Sequence, residues 1–456
     1  MHIAAKKVGA LILASTVALG SAAGAVQART PHSPVTVTVA FQKFGSPPYL
    51  DEEFWKSIQK QVATTLPNVQ LKLLPVVADE GSYYTKIDLM MRSASTAPDL
   101  IREDSFLVGS DATAGFLEPL DKYLATWPEY KQRWFTNMQN ITTFNGHNYG
   151  VMNGTDVRLM WYNKHVFAKA GLPTNWQPKT WADILSAAST IKKRVPGVVP
   201  MNCYTGVIND EASTMQCFEM LLYGTPDKHP LYNYTTKKWV ASSKGMLDTL
   251  NFIHTVFDPN NLLGPTNDIA LNDRVGETIT RKLMPQDKIG IDIDGSWING
   301  TWASNGGFPW PQWKAVMGQA KMPTQFGQAP HYVTLSGGWA YSISAKSNHK
   351  DAAFQVLKLA NSKENLAAYD VAVSNITPRK DVVDVKAYAQ VPLSSFYTGL
   401  LSFTQFRPGF PAYPRISNQI DSAMESVMSG IKPEDALANF SSAVTGIAGS
   451  NSVEKH

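Results

Sequence analysis

The sequence predicts an α/β protein with two domains. Alternating apolar residues at 35–41 indicate a strand, and apolar residues spaced about four apart across 54–66 indicate a helix. Strand-like and helix-like segments continue to alternate at 69–73, 83–94 and 99–101. This alternation is typical of a mostly parallel sheet with helices on its faces. A chain of 456 residues is also too long for one ordinary core, which favours two domains.

The second half of the chain continues the pattern. Strands are expected at 159–162 and 289–293, and helices are expected at 181–191, 211–223, 242–257 and 420–427. The segment 304–313 is rich in Gly, Pro and Trp and is expected to be an ordered surface loop. There is no internal repeat. In a parallel sheet, ligands lie at the carboxyl ends of the strands, so segments 42–46 and 102–105 are candidate site positions.

The first 28 residues have the pattern of a secretory signal peptide. Lys6 and Lys7 precede an apolar run at 8–19, and small residues lead to Ala28, after which we expect cleavage. The alternative is a buried N-terminal helix. No Cys lies near the exit site, so we expect a soluble periplasmic protein rather than a lipid-anchored one. No later segment is long and apolar enough to span a membrane.

Composition describes a globular protein with balanced charge. Apolar residues make up 44% and charged residues 17% of the chain. The formal net charge is +4, and removing the two lysines of the leader would leave +2. This balance gives no support for nucleic-acid binding.

The sequence contains two cysteines, Cys203 and Cys217. In an exported protein they can form a disulfide, but they can equally be two buried thiols. Sequence alone leaves both possibilities open, because a bridge depends on the distance between the Cβ atoms.

The motifs of several enzyme classes are missing. There is no Gly-x-Ser-x-Gly elbow, no phosphate-binding Gly-rich loop, no His-Glu-x-x-His and no dinucleotide fingerprint. The nine His are scattered without metal-site spacing, so we expect neither a metal nor a cofactor. A pair of carboxylates suited to glycoside hydrolysis stays open, because their separation is a three-dimensional property.

Four blocks of residues occur together across the chain. The most specific contains Asn145-Gly146, Tyr149-Gly150, Trp161-Tyr162-Asn163-Lys164, Ala170-Gly171-Leu172-Pro173 and Pro178-Lys179-Thr180-Trp181. The others are Pro98-Asp99 through Gly115–Leu120, then Gly295-Ser296-Trp297, and finally Gly337-Gly338-Trp339 with Thr377-Pro378-Arg379 and Glu434–Leu437. In this order they resemble the extracellular solute-binding proteins of group 1, the family that includes the maltose-binding protein. Met152 and Arg158 depart from the family pattern, and these departures concern the ligand rather than the family.

The resemblance implies a type II periplasmic-binding-protein fold with two hinged α/β lobes. The chain would cross between the lobes near 154–160, 335–341 and 402–408. The N-terminal lobe would contain 29–156 and 341–402, and the C-terminal lobe 157–340 and 403–456. The implied function is capture of a carbohydrate, a di- or oligosaccharide, for the permease of an ABC importer. We expect a monomer that catalyses no reaction.

Sugar hydroxyls favour charged hydrogen-bonding groups, and the apolar faces of sugars favour aromatic rings. Asp104 follows a strand and is therefore a candidate, although Asp also caps helices. Asp156 and Arg158 alternate on one strand and can both face the cleft, or can simply pair with each other. Trp297 is the main aromatic candidate, with a core position as the alternative. Trp339 is the second, beside Gly338, where the backbone can approach a ligand.

The remaining candidates have weaker support. Glu211 begins a predicted helix, where an acid also suits the helix dipole. Arg379 could equally cap or brace a loop. The other candidate ligand contacts are Glu103, Arg407, Tyr413, Lys43 and Gln42.

A sugar-binding protein has three alternatives, of which two are proteins that bind another ligand and one is an enzyme. A glycerol phosphodiester would require a cluster of cations, and a polyamine would require several acids. A secreted glycan-degrading enzyme would require two carboxylates on either side of a sugar. The mixture of Asp, Arg and Trp among the candidates favours a neutral sugar.

Overall fold

The computed structural model describes residues 34–44, 47–272 and 275–456. The expected signal peptide, residues 1–28, lies outside the described residues. The first sheet contains five strands in the order Val69–Val77, Val35–Lys43, Leu100–Asp104, Trp339–Ile343 and Val151–Gly154. The first three strands are parallel, and Trp339–Ile343 runs antiparallel to both of its neighbours.

The second sheet contains the strands Met317–Ala320, Arg158–Asn163, Ile289–Gly295 and Val199–Asn202, in that order. Only its last pair is parallel. The expectation of mostly parallel sheets is therefore wrong, because two of the four neighbouring pairs in the first sheet and two of the three in the second are antiparallel. Periodicity cannot detect the direction in which strands pair. Smaller sheets join Val453–Lys455 with Lys238–Ser242 and Tyr232–Asn233, Met322–Pro323 with Tyr332–Ser336 and Thr404–Phe406, and Thr143–Phe144 with His147–Asn148.

Helices flank both sheets. Those that precede the strand Arg158–Asn163 are Leu50–Thr65, Glu80–Met91, Val108–Thr113, Asp121–Leu124, Pro128–Arg133 and Thr136–Asn140. Those that follow it are Lys164–Ala170, Trp181–Arg194, Glu211–Ser213, Met220–Leu222, Lys244–Phe257, Asn267–Asn272, Val275–Thr278, Ile298–Thr301, Trp313–Val316, Lys350–Ala360, Lys363–Val373, Lys386–Ala389, Ser394–Leu400, Tyr413–Met428 and Pro433–Ala448. The turns Thr214–Glu219 and Ile279–Leu283 are π-helical, and 3-10 turns occupy Val207–Asn209, Leu401–Phe403 and Ser450–Ser452.

Local sequence explains where these helices begin and end. Leu50–Thr65 buries Phe54, Ile58 and Val62 on one face, and it ends just before Pro67. Trp181–Arg194 begins with a capping box, in which the Thr180 hydroxyl accepts from the Asp183 backbone and the Asp183 carboxylate accepts from the Thr180 backbone. The helices predicted from periodicity are therefore present.

The two large sheets have separate hydrophobic cores, as a two-lobe fold requires. Residues 155–157 connect Val151–Gly154 in the first sheet to Arg158–Asn163 in the second. Gly337 and Gly338 lead the chain back into the first sheet. Both connections lie within the ranges expected for lobe crossings. The third crossing and the lobe boundaries remain a prediction; Tyr397, before the expected crossing, already packs in the cluster that contains Trp161.

The segment 304–313 is not simply a surface loop. The indoles of Trp310 and Trp313 are buried, with 7% and 6% of their surface exposed, and both pack near Trp302. Gly and Pro signals locate irregular backbone correctly, but they do not show which side chains of the segment face inward.

The two cysteines form a disulfide. The Cα atoms of Cys203 and Cys217 are 5.1 Å apart, and the bridge joins the segment after strand Val199–Asn202 to the π-helical turn. Sequence left this pairing open, and the tertiary structure decides it because the helix folds back beside the strand.

We expect the double substitution Cys203→Ala with Cys217→Ala to lower the free energy of unfolding by about 3 kcal/mol. The bridge spans 14 positions. A disulfide that closes a loop of about 15 residues reduces the entropy of the unfolded chain, and this stabilises the folded protein by about 3 kcal/mol. Urea unfolding with and without reductant measures the change. A reductant effect that persists in the double variant would contradict this account.

Candidate functional site

A cavity of ≈ 630 Å³ lies between the two lobes, at the carboxyl end of strand Val35–Lys43 and of strand Leu100–Asp104. Its volume is in the range of small-molecule binding sites. Nine sequence-predicted candidates line it, together with Gln42: Lys43, Asp104, Asp156, Arg158, Glu211, Trp297, Gly338, Trp339 and Arg407. The cavity thus lies at the strand ends that the sequence indicated, and ligand binding there stays a prediction.

Arg407 connects the two lobes through a buried ion triad. Its Nη2 donates to Asp104 Oδ1 at 2.8 Å, and its Nη1 donates to Glu211 Oε2 at 2.9 Å. Its guanidinium also lies 4.2 Å from the Phe106 ring centroid. Burial acts to lower the pKa of Arg407, but Asp104 and Glu211 raise it well above its usual value. The triad therefore fixes the direction of both carboxylates at the cavity wall.

Asp156 and Arg158 form an ion pair at the first connection between the lobes. Asp156 Oδ1 also accepts from the Gly337 amide at 2.9 Å, which links the first connection to the second. The salt bridge considered from the sequence is thus present, and both side chains also line the cavity. Ligand contact at these two residues stays a prediction.

Two tryptophans line the cavity, and each has an arginine over one face. The Arg158 guanidinium lies 4.8 Å from the Trp297 ring centroid, and the Arg102 guanidinium lies 3.9 Å from the Trp339 ring centroid. Both indoles are only partly buried. Such cation–π contacts hold a ring in one orientation, which suits stacking against a ligand.

Gly338 allows close approach of the backbone strands at the cavity. Its φ is +118°, and a Cβ there would overlap the Gly154 carbonyl oxygen. A side chain at this position would push the two lobe connections apart.

Three of the predicted ligand contacts are wrong, because these residues do not line the cavity: Glu103, Arg379 and Tyr413. Arg379 is completely buried and braces a loop, pairing with Glu129 and Asp381, which was its alternative role. Tyr413 is also completely buried, behind Glu211. Glu103 points to the opposite face of the sheet from Asp104, because successive side chains on a strand alternate.

Glu103 instead faces Asp111 in the interior of the first lobe, where the two residues are 2% and 5% exposed. Burial, and then the charge of Asp111, raise the pKa of Glu103 well above its usual value. Burial also raises the pKa of Asp111 to about 7. The pair therefore holds a proton that the unfolded chain would release.

We expect this pair to make folding less favourable as the pH rises from about 4 to about 7. Each of the two carboxyl groups that stays protonated in the folded protein and ionises in the unfolded chain lowers the folding equilibrium constant by up to about tenfold per pH unit in that window. Glu103→Gln should reduce this slope, because an amide can donate to ionised Asp111. Urea unfolding across the window tests it, and identical slopes in the two proteins would refute the assignment.

Sequence reasoning missed several residues of the wall. Asp294 lines the cavity and accepts from the Tyr204 hydroxyl at 2.7 Å. Burial raises the pKa of Asp294 to about 6 and that of its neighbour Asp292 well above the usual value. Asp294 directly precedes the Gly295-Ser296-Trp297 block, so its position next to a candidate was a usable signal. Tyr204, a cavity residue more than 80 positions away, gave none.

In the described part of the chain, no three His, Cys, Asp or Glu side chains come together in a way that could hold a metal ion. None of the helices among the described residues combines the length and apolar character needed to cross a bilayer.

Two hinge-connected lobes with a polar and aromatic cavity between them define a ligand-binding protein of the bilobal class. A family profile described as bacterial extracellular solute-binding protein matches residues 57–393. The chain belongs to this family, and the resemblance seen in the four sequence blocks is confirmed.

Relatives and solved structures agree with this assignment. A Brucella abortus (strain 2308) protein described only as a binding protein is 24% identical over 433 residues, which cover 94% of this chain and 95% of that protein. A Thermotoga lettingae TMO solute-binding protein, solved with alpha-D-tagatose, has a TM-score of 0.75 and 24% identity, covering 91% of this chain and all of that one. The maltose-bound T. maritima MalE3 has a TM-score of 0.73 and 19% identity over the same shares. The predicted two-lobe fold is thereby confirmed.

Proposed function

We propose that the protein binds a neutral carbohydrate, a di- or oligosaccharide, in this cleft and delivers it to the permease of an ABC importer. The observation that carries this proposal is the combination of two partly exposed indoles, Trp297 and Trp339, with fixed carboxylate and guanidinium groups in one cavity. Indole faces can cover the C–H surfaces of a sugar, and the charged groups can satisfy its hydroxyls.

The charges of the wall favour a neutral ligand over an ionic one. Each Lys or Arg of the described wall already pairs with a carboxylate; these cations are Lys43, Arg102, Arg158, Arg281 and Arg407. A phosphodiester would have to displace those carboxylates. A polyamine would have to displace these cations from the carboxylates with which they pair. A sugar hydroxyl can accept from the same guanidinium and donate to the same carboxylate without breaking the pair.

The same pairing argues against glycoside hydrolysis. Asp104 and Asp156 are each held in an ion pair with an arginine, whereas a glycosidase needs one proton-donating acid opposite the other carboxylate. We therefore propose a binding protein without catalysis. It would act as a monomer in the periplasm after cleavage behind Ala28 and without a lipid anchor.

The relatives support a sugar by analogy. The Thermotoga lettingae and T. maritima proteins were solved with tagatose and maltose, and their fold matches this chain over nearly its whole length.

A thermal-shift screen of the mature protein tests the proposal. Mono-, di- and oligosaccharides are compared with a glycerol phosphodiester and a polyamine. A ligand at a hundred times its Kd stabilises the native state by about 2.7 kcal/mol, which raises Tm. We expect Tm to rise with at least one of the sugars and to stay unchanged with the phosphodiester and the polyamine. A shift with only an ionic ligand, or turnover of model glycans, would overturn the proposal.

A further inference from the structure

Glu219 is a buried carboxyl group directly behind the cavity wall. It is the last residue of the π-helical turn Thr214–Glu219, in the helix that begins with Glu211. Its side chain has no solvent exposure, whereas Glu211 lies on the cavity wall. π-Helical turns are rare and occur frequently at functional sites.

The Tyr413 hydroxyl lies between these two carboxyl groups. It is 3.0 Å from Glu219 Oε1 and 3.3 Å from Glu211 Oε2. A phenol has one proton to donate, and an ionised carboxylate can only accept. Both contacts can therefore be hydrogen bonds only when one of the two carboxyl groups carries a proton.

The partners of the two groups show which one is protonated. Both oxygens of Glu211 have donors, since Oε2 accepts from Arg407 Nη1 at 2.9 Å and Oε1 accepts from the Ser417 hydroxyl at 2.5 Å. Glu219 Oε2 is buried without a hydrogen-bond partner among the described residues. An ionised oxygen in that position would be costly. Glu219 is therefore the acid.

The titratable and charged groups that face Glu219 are Glu211, Arg407, Arg158, Tyr413, Tyr223 and Tyr234. Burial, followed by the charge of Glu211, raises the pKa of Glu219 to about 8, against the lowering effects of Arg407, Tyr413 and Arg158. The balance agrees with the hydrogen-bond geometry.

We propose that Glu219 is a positioning residue for the ligand cleft: its neutral carboxyl group donates to the Tyr413 hydroxyl, which donates to Glu211. This relay directs Glu211 and, through it, Arg407 and its contact with Asp104 in the other lobe. The role in binding rests on the proposed function of the cleft.

Loss of the Glu219 proton breaks the relay. Ionised Glu219 can no longer donate to Tyr413, and its charge repels Glu211, so Glu211 loses its contact with Tyr413 and is held at the cavity wall by Arg407 and Ser417 alone. Ligand affinity should therefore fall as the pH rises through about 8.

The first test needs no ligand. Urea unfolding is followed from pH 5 to pH 9 for the wild type, for Glu219→Gln, which keeps a donor but does not titrate, and for Glu364→Gln, an exposed control. Unfolded Glu titrates near 4.3, so between there and about 8 the folded wild type holds an extra proton and its folding equilibrium should fall by up to about tenfold per pH unit relative to Glu219→Gln. Glu364→Gln should follow the wild type. Parallel profiles for the wild type and Glu219→Gln overturn the protonation assignment.

The second test measures Kd for the sugar found by the screen. We expect the Kd of the wild type to rise about tenfold between pH 7 and pH 9.5, corresponding to loss of about one hydrogen bond to a charged group, and that of Glu219→Gln to stay constant. Equal pH dependence in both proteins overturns the positioning role. If no sugar binds, the proposed function fails, but the unfolding titration still decides the protonation of Glu219.

If Glu219→Gln does not fold, Tyr413→Phe takes its place. It removes the hydroxyl between the carboxyl groups and retains the buried ring. We expect weaker binding at every pH and a smaller change of Kd between pH 7 and pH 9.5 than in the wild type, because only the repulsion between ionised Glu219 and Glu211 remains. A pH dependence like that of the wild type would overturn the relay.

Discussion

Replacing Arg407 with alanine is expected to lower the free energy of unfolding by about 3–5 kcal/mol and to abolish measurable sugar binding. The side chain is 4% exposed and neutralises Asp104 in one lobe and Glu211 in the other. Removing one partner of a buried ion pair leaves an uncompensated charge, which accounts for a loss of that size. Urea unfolding at pH 7 and calorimetric titration with the cognate sugar measure the two effects.

Two controls separate the triad from a general effect of removing arginine. Arg133→Ala removes an exposed guanidinium 3.9 Å from Asp381, and it should change stability by less than about 1 kcal/mol. The double variant Arg407→Met with Asp104→Asn removes both charges of the ion pair between these residues. Its free energy of unfolding should therefore recover part of what Arg407→Ala loses. A loss below about 1 kcal/mol for Arg407→Ala, or no recovery in the double variant, would show that the triad is not coupled.

Replacing Trp297 with alanine is expected to weaken sugar binding about 30-fold or more with little change in stability. The indole lies on the cavity wall with Arg158 over one face and is only partly buried. A tryptophan that acts as a binding anchor typically contributes about 2 kcal/mol or more, and 2 kcal/mol corresponds to roughly 30-fold in Kd. Calorimetry gives Kd, and thermal unfolding gives Tm.

Trp302 is the matched control, five positions later in the chain. Its indole is 1% exposed, packs on Trp161 and Trp313, and donates from Nε1 to the Thr280 carbonyl at 2.9 Å. Trp302→Ala should therefore cost about 3–5 kcal/mol of stability. If Trp297→Ala behaves like Trp302→Ala and leaves Kd unchanged, Trp297 is a core residue and its proposed role is wrong.

Periodicity predicted most of the regular structure. The strands and helices expected from apolar spacing between 35 and 101 are present, because one buried face imposes a period of two or about four on the sequence. The resemblance added the two-lobe fold and the positions of two connections between the lobes. Antiparallel pairing in the second sheet was not predicted, because pairing direction leaves no mark on a single strand.

The sequence by itself identified the strand ends and the two tryptophans, Trp297 and Trp339, that line the cavity, and their contact with a ligand stays a prediction. The sequence could not determine which side chains pair with each other through ion pairs and hydrogen bonds. Arg407 meets Asp104 across 303 positions and Glu211 across 196, and Tyr413 meets Glu219 across 194. Only the tertiary structure decided that Arg379 is buried beside Glu129 and Asp381, and that Tyr413 and Glu219 are buried behind Glu211. The reason is that burial and charge pairing depend on contacts between segments that are distant in the sequence, and local sequence patterns do not predict those contacts.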